Sequence, residues 1–300
     1  MFDRVVLSRD LFDANGAVLV KRGLVISVDS VYETARRAPA LPRLVLSETI
    51  IAEDLHLPLA DPPYRHFFRG SGVQAAVARA LLAVRLPQAL FDELAALKVL
   101  DPARYRHGLT TGAVTARMLI AAVGDAPALP DLAAAGLLHD LGMRHLSFHR
   151  LRSGDPLDRR EVMDVASHPI LGAWHLASLL GAHPAVDAAL AHHWRNGRGY
   201  PSLPRAPSRA VQVVAVASAF TALTQMRAFR SEPFDARGAA DVLISEAARS
   251  RADLNTVRLL VHALRGARGE VGLVSFGRER LGHAPVVNRY TDIAPLRSPV

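Results

Sequence analysis

The sequence predicts a mainly α-helical protein, in which a helical bundle follows a small β-rich N-terminal module and precedes a short C-terminal tail with strands. Three observations support this fold class. Apolar residues return every three or four positions from residue 73 to 266, which is the period of a helix with a buried face. Proline and glycine interrupt that pattern at intervals typical of helix lengths. Hydrophobic residues make up 50% of the 300 residues, enough for a sizeable core.

The N-terminal region, residues 1–72, lacks the helical period. Residues 1 to about 50 are expected to form strands and turns, because Asn15-Gly16 lies between short apolar runs, the strongest local signal for a hairpin. Gly23 allows a second turn. Residues 51–72 carry Pro58, Pro62 and Pro63 and are expected to form a linker. The prediction for 1–72 is therefore a β-rich module plus a linker.

The helical domain is predicted over residues 73–266. Nine stretches carry the helical period, at 73–84, 89–100, 110–123, 131–142, 161–180, 185–194, 209–226, 239–250 and 256–266. Several are rich in alanine and apolar all round, so we expect them to be buried. The stretch 73–99 could make the protein a homodimer, although core packing explains it equally well. Residues 267–300 are expected to form a C-terminal tail with one or two short strands.

Charge and composition narrow the range of partners. The net charge of +8 would suit nucleic acid. However, Lys21 and Lys98 are the only lysines, and the arginines are scattered among alanines, so we expect no nucleic-acid partner. An anionic small ligand suits the charge as well, since arginine pairs well with phosphate. The N-terminus has no basic signal region and no apolar run approaches membrane-spanning length, so we expect a cytoplasmic protein with no membrane partner.

Histidines are concentrated in one part of the chain. Nine of the 13 fall between His107 and His193, and they include His139-Asp140 in the stretch AAAGLLHDLGM. The intervals from His107 to His139, His168 and His192 each fit one helix and a turn, so the side chains would converge from separate helices. Burying that many polar rings costs free energy unless they are paired or bind metal. The predicted metal ligands are His107, His139, Asp140, His168, His192 and His193.

The expected ion follows from the donor types. The absence of cysteine excludes thiolate ligands, which leaves Fe, Mn, Zn or a similar divalent ion. Adjacent helical residues point about 100° apart, so His139 and Asp140 would chelate one ion poorly. A carboxylate of Asp140 that bridges two ions relieves this restriction. Four further histidines are expected to be ordinary core residues: His145, His149, His175 and His183.

Four motifs occur in an order that resembles a known family. They are LLHDLG at 137–142, SHPILGAWHL at 167–176, HHWRNGRGYP at 192–201 and AVASAFTALTQMRAFR at 215–230. The order and the separations resemble the HD superfamily of metal-dependent phosphohydrolases, and more narrowly its HD-GYP branch, over roughly residues 100–265. The resemblance implies an HD-type helical bundle. It also implies a cyclic di-GMP phosphodiesterase with one or two divalent transition-metal ions, Fe or Mn above all.

The resemblance also implies a role for each site residue. His107, His139 and Asp140 would serve one ion, and the catalytic Asp140 would bridge to a second ion held by His168 and His192, with His193 near a further ion. A hydroxide made available by the metal would attack phosphorus. The substrate-binding residues would be Gly199, Tyr200 and Pro201 in the loop beside the nucleotide, together with Arg195 and Arg198.

Several positions depart from the family pattern. Met143 stands where the family has a lysine that meets the phosphate, Ser218 where it has a metal-binding aspartate, and Ala103 where many members have a glutamate. These departures predict reduced activity. Arg144, Arg195 or Arg198 could replace the missing cation, or could be solvated surface residues. The alternative function is a degenerate HD-GYP or HDOD-like signalling protein that binds nucleotide or a protein partner without turnover.

Overall fold

The computed structural model describes residues 3–13, 15–70, 72–146, 158–226, 230 and 232–286. They form a mainly α-helical bundle, as the sequence predicts. Within them are eleven α-helices: α1 (Val28–Arg37), α2 (His56–Ala60), α3 (Val73–Leu82), α4 (Gln88–Leu100), α5 (Pro102–Val123), α6 (Leu129–Leu138), α7 (Arg159–Leu180), α8 (Pro184–Ala191), α9 (Arg209–Thr224), α10 (Ala236–Ala248) and α11 (Leu254–Leu264). No helix among them is both long and apolar enough to cross a membrane.

The N-terminal strands form two small antiparallel sheets. Strand β1 (Arg4–Val6) pairs with β4 (Val25–Ser27), and β2 (Leu11–Phe12) pairs with β3 (Val18–Val20). The predicted hairpin at Asn15-Gly16 is confirmed: Gly16 has a φ of 82°, and the carboxylate of Asp13 accepts hydrogen bonds from the backbone at Asn15 and Ala17.

The prediction of strands up to about residue 50 is wrong for residues 28–37, which form helix α1. A capping box starts this helix: the side chain of Ser27 accepts from the backbone N–H of Ser30, and the Ser30 hydroxyl accepts from that of Ser27. A third small sheet joins β5 (Leu44–Val45) to β6 (Arg85–Leu86). The N-terminal region therefore contains a helix besides its strands.

The predicted linker over 51–72 is instead packed into the core. Tyr64, Phe67 and Phe68 are at most 1% exposed. The Tyr64 hydroxyl lies 2.6 Å from Oγ1 of Thr224 in α9, and the Phe67 ring lies 6.0 Å from that of Phe220. The prolines of this segment lie within short helical turns, so they do not keep it apart from the bundle.

The C-terminal tail has no strand within its described part, 267–286. It contains a single 3₁₀ turn at Val271–Leu273. Its backbone N–H groups at Gly282 and His283 donate to the carboxylates of Asp241 and Asp235, at 3.0 and 3.1 Å. Carboxylates at the start of α10 and within it thus accept from these backbone N–H groups, which in a strand would pair with a neighbouring strand. Residues 287–300 lie outside the described part of the chain.

The central helices pack closely enough to bring distant histidines together. A Cβ atom at Gly108 of α5 would lie 2.7 Å from the carbonyl oxygen of Leu137 in α6, and one at Gly136 would lie 2.8 Å from the Thr115 hydroxyl. Only glycine allows this approach of the two backbones. The contact aligns the first half of α5 with the end of α6, where the chain reaches His139.

Candidate metal centre

All six predicted ligands lie together in the structure. His107 comes from α5, His139 and Asp140 follow the end of α6, His168 lies in α7, and His192 and His193 follow α8. Ring centroids are 5.2 Å apart for His107 and His139, 5.0 Å for His139 and His192, and 5.1 Å for His168 and His192. Those four histidines are at most 2% exposed. The predicted convergence from separate helices is therefore present.

The ligand atoms form two groups, each within 4.8 Å: His107, His139 and Asp140 in one, and His168, His192 and His193 in the other. Asp140 connects them, because its Oδ1 lies 3.2 Å from Nε2 of His168 and 3.7 Å from Nε2 of His192. One carboxylate thus faces both groups. This is the position that a bridging ligand would need.

Three of the histidines have their tautomer fixed by the backbone. Nδ1 lies 2.7 Å from the Gly136 carbonyl in His139, and 2.9 Å from the Ala189 carbonyl in His192. Both carbonyls are available because their helices end there. In His168, Nδ1 lies 2.6 Å from the Val165 carbonyl. A carbonyl oxygen only accepts, so each Nδ1 donates and each Nε2 offers its lone pair.

Pro169 explains why the Val165 carbonyl is available in the middle of α7. In a helix the N–H of residue 169 would donate to this carbonyl, four residues earlier. Proline has no N–H, so the His168 ring can take the position. The His-Pro pair therefore orients a buried imidazole as well as interrupting the helical hydrogen bonds.

The fixed tautomers bring three acceptor atoms close together, and a cation between them would stabilise this arrangement. Nε2 of His168 lies 3.0 Å from Nε2 of His192, with Oδ1 of Asp140 3.2 Å from the former. Lone pairs this close repel unless a proton or a metal ion lies between them. Imidazole nitrogens and a carboxylate oxygen fit a divalent transition-metal ion. His168, His192 and Asp140, with His193 adjacent, would hold it.

The group of His107 and His139 is closed by hydrogen bonds instead. Since Nε2 of His139 is an acceptor, the Ser218 hydroxyl donates to it at 3.0 Å. Nδ1 of His107 lies 3.2 Å from both the Thr221 hydroxyl and the Gln225 side-chain oxygen. Neutral oxygens thus surround this half of the site, and Asp140 is the carboxylate it shares with the other half.

Electrostatics favour an ionised carboxylate at Asp140 beside neutral imidazoles at His192 and His193. Burial alone would raise the pKa of Asp140, but a cation shared with His168, here a proton that makes a charged hydrogen bond, opposes it, and with the charges of His139 and Arg104 it holds that pKa well below its usual range. Burial, together with the neighbouring His139 and His168, holds the pKa of His192 well below its ordinary value. Burial, with His192, His168 and Arg195, does the same to the pKa of His193.

The loop at 195–201 lies against His193. Gly199 is required there, because a Cβ atom would collide with the carbonyl oxygen of His193. The Tyr200 ring stacks on the His193 ring, with centroids 4.5 Å apart and planes 18° apart, and Pro201 is buried. Arg195 is half-buried and Arg198 is exposed. Gly199 and Tyr200 therefore lie against the candidate centre at His193.

Arg144 does not lie open to a substrate, which corrects its suggested role as the replacement cation. Its Nη1 lies 2.6 Å from Oε1 of the buried Glu93, which also accepts from Nε2 of His175 at 2.8 Å. Met143, beside it, is buried.

The other described histidines of this region make structural contacts. His145 packs edge-on against His175, and His183 accepts from a backbone N–H at the start of α8. These three histidines stand apart from the six ligands, and His149 lies outside the described residues.

Sequence reasoning did not identify three residues beside the centre: Thr221 and Gln225, which contact His107, and Arg104, whose charge acts on Asp140. A signal existed for two of them. Thr221 follows Ser218 by three residues and Arg104 precedes His107 by three, and residues three apart share a helix face.

Comparisons with known proteins find similarity among solved structures. No family model and no curated protein matches the sequence. Among solved structures, an HDGYP protein from Bdellovibrio bacteriovorus, Bd1817, is similar at 17% identity and a TM-score of 0.49, covering 88% of this chain and 99% of its own. The HD domain of the L. monocytogenes phosphodiesterase PgpH, in complex with cyclic di-AMP, is similar at 15% identity and a TM-score of 0.44, covering 58% and 93%. This likeness concerns the fold.

Proposed function

We propose that this chain is a metal-dependent phosphohydrolase of the HD-GYP type, acting on a cyclic dinucleotide with reduced turnover. The observation that carries the proposal is the meeting of three acceptors, Nε2 of His168, Nε2 of His192 and Oδ1 of Asp140, at 3.0 and 3.2 Å. Such a cluster has no purpose in a helical core unless a cation binds there.

The residues around the cluster have definable tasks. A bound divalent ion supplies a lowered pKa for water and polarises the phosphoryl group. The backbone carbonyls at Gly136, Val165 and Ala189 keep the imidazoles aimed inward. Asp140 stays ionised and can accept a proton from water or bridge two ions. Tyr200, stacked on His193, offers the edge of a flat ring to a nucleobase, and Arg195 offers charge to a phosphate.

Cyclic di-GMP is the expected substrate because of the motif resemblance, and cyclic di-AMP is the natural comparison. The abundance of arginine over lysine suits an anionic ligand of either kind. Both compounds should therefore be assayed side by side, with linear products separated by chromatography. We expect slow hydrolysis of cyclic di-GMP and slower hydrolysis of cyclic di-AMP.

Metal analysis tests the proposal most directly. Protein purified without chelators should contain at least one transition-metal ion per chain, and Asp140→Asn with His192→Ala should reduce this below a tenth. His283→Ala, a change at an exposed histidine, is the matched control and should retain the wild-type content. A wild-type protein that holds no ion, even after reconstitution with Fe or Mn, would exclude the catalytic function.

A second function, nucleotide binding without turnover, is favoured by one observation. The Ser218 hydroxyl already occupies the lone pair of His139 at 3.0 Å, which weakens that half of the centre as a second metal site. In that case the protein would bind cyclic di-GMP and metal, and the dinucleotide would remain intact over hours of incubation.

A further inference from the structure

We infer that Glu93 is a positioning residue for the metal centre: it connects the turn that follows Asp140 to the part of α7 that follows His168. This inference rests on the proposed metal-dependent function and deepens it, because it names the group that sets the separation of two ligands from different segments. Helix α4, which carries Glu93, supplies none of the six predicted ligands. Glu93 therefore acts on the centre only through its neighbours.

One carboxylate oxygen of Glu93 meets side chains from both segments. Oε1 lies 2.6 Å from Nη1 of Arg144, in the 3₁₀ turn Leu141–His145. The same oxygen lies 2.8 Å from Nε2 of His175 in α7. Glu93 and His175 are each 2% exposed, so bulk water does not compete for these contacts. Oε1 is thus a fixed point between the turn and the helix.

Both segments lead directly to ligands. Arg144 follows Asp140 by four residues. His175 follows His168 by seven residues, which is two turns along one face of α7. At the other end of the contact, a Cβ atom at Gly142 would collide with the carbonyl oxygen of His168, so the two backbones touch there. Two contacts therefore fix the turn on α7, and Oδ1 of Asp140 lies 3.2 Å from Nε2 of His168.

Stability alone does not explain the polar cluster around Glu93. Among the described residues, Oε2 of Glu93, Nδ1 of His175 and Nε2 of His145 are buried without a hydrogen-bond partner. Each such atom destabilises the fold, and a buried ion pair can often be replaced by apolar groups without loss of stability. An apolar cluster would therefore stabilise the core at least as well. What distinguishes this cluster is the fixed distance that it sets between the turn and the helix.

Loss of the Glu93 charge would reach Asp140 through the turn. The side chain of Arg144 is 16% exposed, and without its counter-charge the guanidinium would move toward water. The turn would move with it, and Asp140 is the residue at which the turn begins. The contact at Gly142 would then hold the turn on α7 without the support of Glu93. Metal affinity typically decreases about 10- to 100-fold when a group that orients a ligand is lost.

The test measures the Mn²⁺ affinity of Glu93→Gln by titration calorimetry, together with thermal unfolding. The visible absorption of the Co²⁺-loaded protein reports the ligand geometry. We expect Glu93→Gln to weaken Mn²⁺ binding about tenfold or more and to change the Co²⁺ bands. Glu246→Gln is the matched control, because Glu246 lies 3.8 Å from Arg249 on α10, a helix that carries no predicted ligand. Its Mn²⁺ affinity should stay within twofold of wild type.

A double variant separates positioning from a general effect on the fold. Glu93→Gln alone leaves the charge of Arg144 without a partner, which can destabilise the protein. Glu93→Gln with Arg144→Met removes both charges and keeps an oxygen that accepts from His175. We expect this double variant to recover the thermal stability of wild type while its Mn²⁺ affinity stays at least tenfold weaker, because the turn is no longer connected to α7 at this point.

Three results would overturn the inference. The first is wild-type Mn²⁺ affinity and Co²⁺ bands in Glu93→Gln. The second is a double variant that recovers metal affinity together with stability, since the pair would then serve only to balance a buried charge. The third is a double variant that does not fold, which would make the pair a requirement of the whole core.

The wild-type protein separates this inference from the proposed function. If wild type binds Mn²⁺ and the Glu93 variants bind it equally well, the inference alone is overturned. If wild type takes up neither Mn²⁺ nor Co²⁺, the proposed function fails and the inference fails with it. The measurements follow metal binding directly, so a slow enzyme still gives a result.

Discussion

Ser218 and Met143 are the two residues at which the candidate centre departs most from the pattern of the family that the motifs resemble. The Ser218 hydroxyl hydrogen-bonds to Nε2 of His139 at 3.0 Å, where a carboxylate would bind an ion beside His107 and Asp140. Met143 is buried within the 3₁₀ turn Leu141–His145 and carries no charge. Each substitution leaves the helices in place and removes a charged group from the chemistry.

Placing a carboxylate at residue 218 and a cation at residue 143 should increase activity. We expect Ser218→Asp with Met143→Lys to raise kcat/KM for cyclic di-GMP at least tenfold, because the carboxylate favours a second ion and the lysine meets the phosphate. Metal content per chain should rise in parallel. Ser245→Asp, on α10, is the control for an added carboxylate. A wild-type protein as fast as the double variant would contradict the assignment of weakened chemistry to these two positions.

His145 sets part of the acid sensitivity of the fold. Burial, with the nearby charges of His175, Arg144 and Arg9, lowers the pKa of His145 to about 2. The unfolded chain takes up this proton near pH 6.5, and the folded chain does so only near pH 2. The contribution of His145 to the free energy of unfolding is therefore fully present above about pH 6.5. It decreases as the pH falls below that value, by up to about 1.4 kcal/mol per pH unit.

Replacing His145 by Gln should remove this one-proton dependence. Urea unfolding between pH 7.5 and 4.5 should show a smaller decrease in the free energy of unfolding for His145→Gln than for wild type. Measurements at pH 7.5, where His145 is largely neutral in both the folded and the unfolded chain, give the change in the free energy of unfolding that the substitution itself causes. Parallel curves for the two proteins across the acid range would show that His145 takes up a proton in the folded state as easily as in the unfolded chain.

At the scale of elements, the ligands are oriented by interruptions in helices. His139 and His192 follow the last residues of α6 and α8, and His168 precedes Pro169 within α7. Each interruption leaves a carbonyl that the imidazole Nδ1 can contact. His139-Asp140, His168-Pro169 and His192-His193 therefore share one physical basis. In each pair, a backbone carbonyl accepts a hydrogen bond from Nδ1 of the first histidine.

Pro169→Ala tests this basis. Alanine restores an N–H that competes with His168 for the Val165 carbonyl, which now lies 2.6 Å from the imidazole. We expect metal affinity to decrease about 10- to 100-fold, as when other ligand-orienting contacts are lost, without loss of stability. Pro130→Ala, in the first turn of α6, is the matched control, since no helical hydrogen bond is missing there. Unchanged metal affinity in Pro169→Ala would mean that the ring orientation has another cause.

Local sequence patterns predict the helices and the convergence of the histidines well, because both depend on the helical period. The helical period identifies the helices from α3 to α11, and the histidine spacing predicts the convergence of the six candidate ligands. Helix α1 is missed because its ten residues directly follow strand β4, although Val28, Val31 and Ala35 return at helical spacing and Ser27 and Ser30 form a readable cap. Thr221 and Arg104 could have been found from their three-residue spacing to Ser218 and His107, whereas Gln225 is missed because its contact with His107 joins residues far apart in the chain, and no local pattern encodes such a contact.

At the scale of the whole molecule, the N-terminal residues and the bundle share one core. Buried side chains from Leu7 to Ala263 belong to a single hydrophobic cluster, and Tyr64, Phe67 and Phe68 lie within it. Helix α1 and strands β1 and β4 pack against α7, which carries His168. A domain boundary at residue 72 would cut through these contacts. A change in the N-terminal residues can therefore affect His168, a candidate ligand, through the one helix that packs against them.

Phe67→Ala tests the shared core. Phe67 packs on Phe220 of α9 and its carbonyl accepts from Arg117 of α5, so the substitution leaves a cavity between the N-terminal segment and two bundle helices. We expect the free energy of unfolding to decrease by about 3–5 kcal/mol. Fluorescence and circular dichroism should then record one coincident transition at a lower denaturant concentration.

Phe12→Ala is the control. Because Phe12 is 46% exposed, this substitution should change the free energy of unfolding by less than about 1 kcal/mol. If residues 1–72 were a separate domain, Phe67→Ala would instead shift one of two transitions and leave the unfolding of the metal-binding helices unchanged.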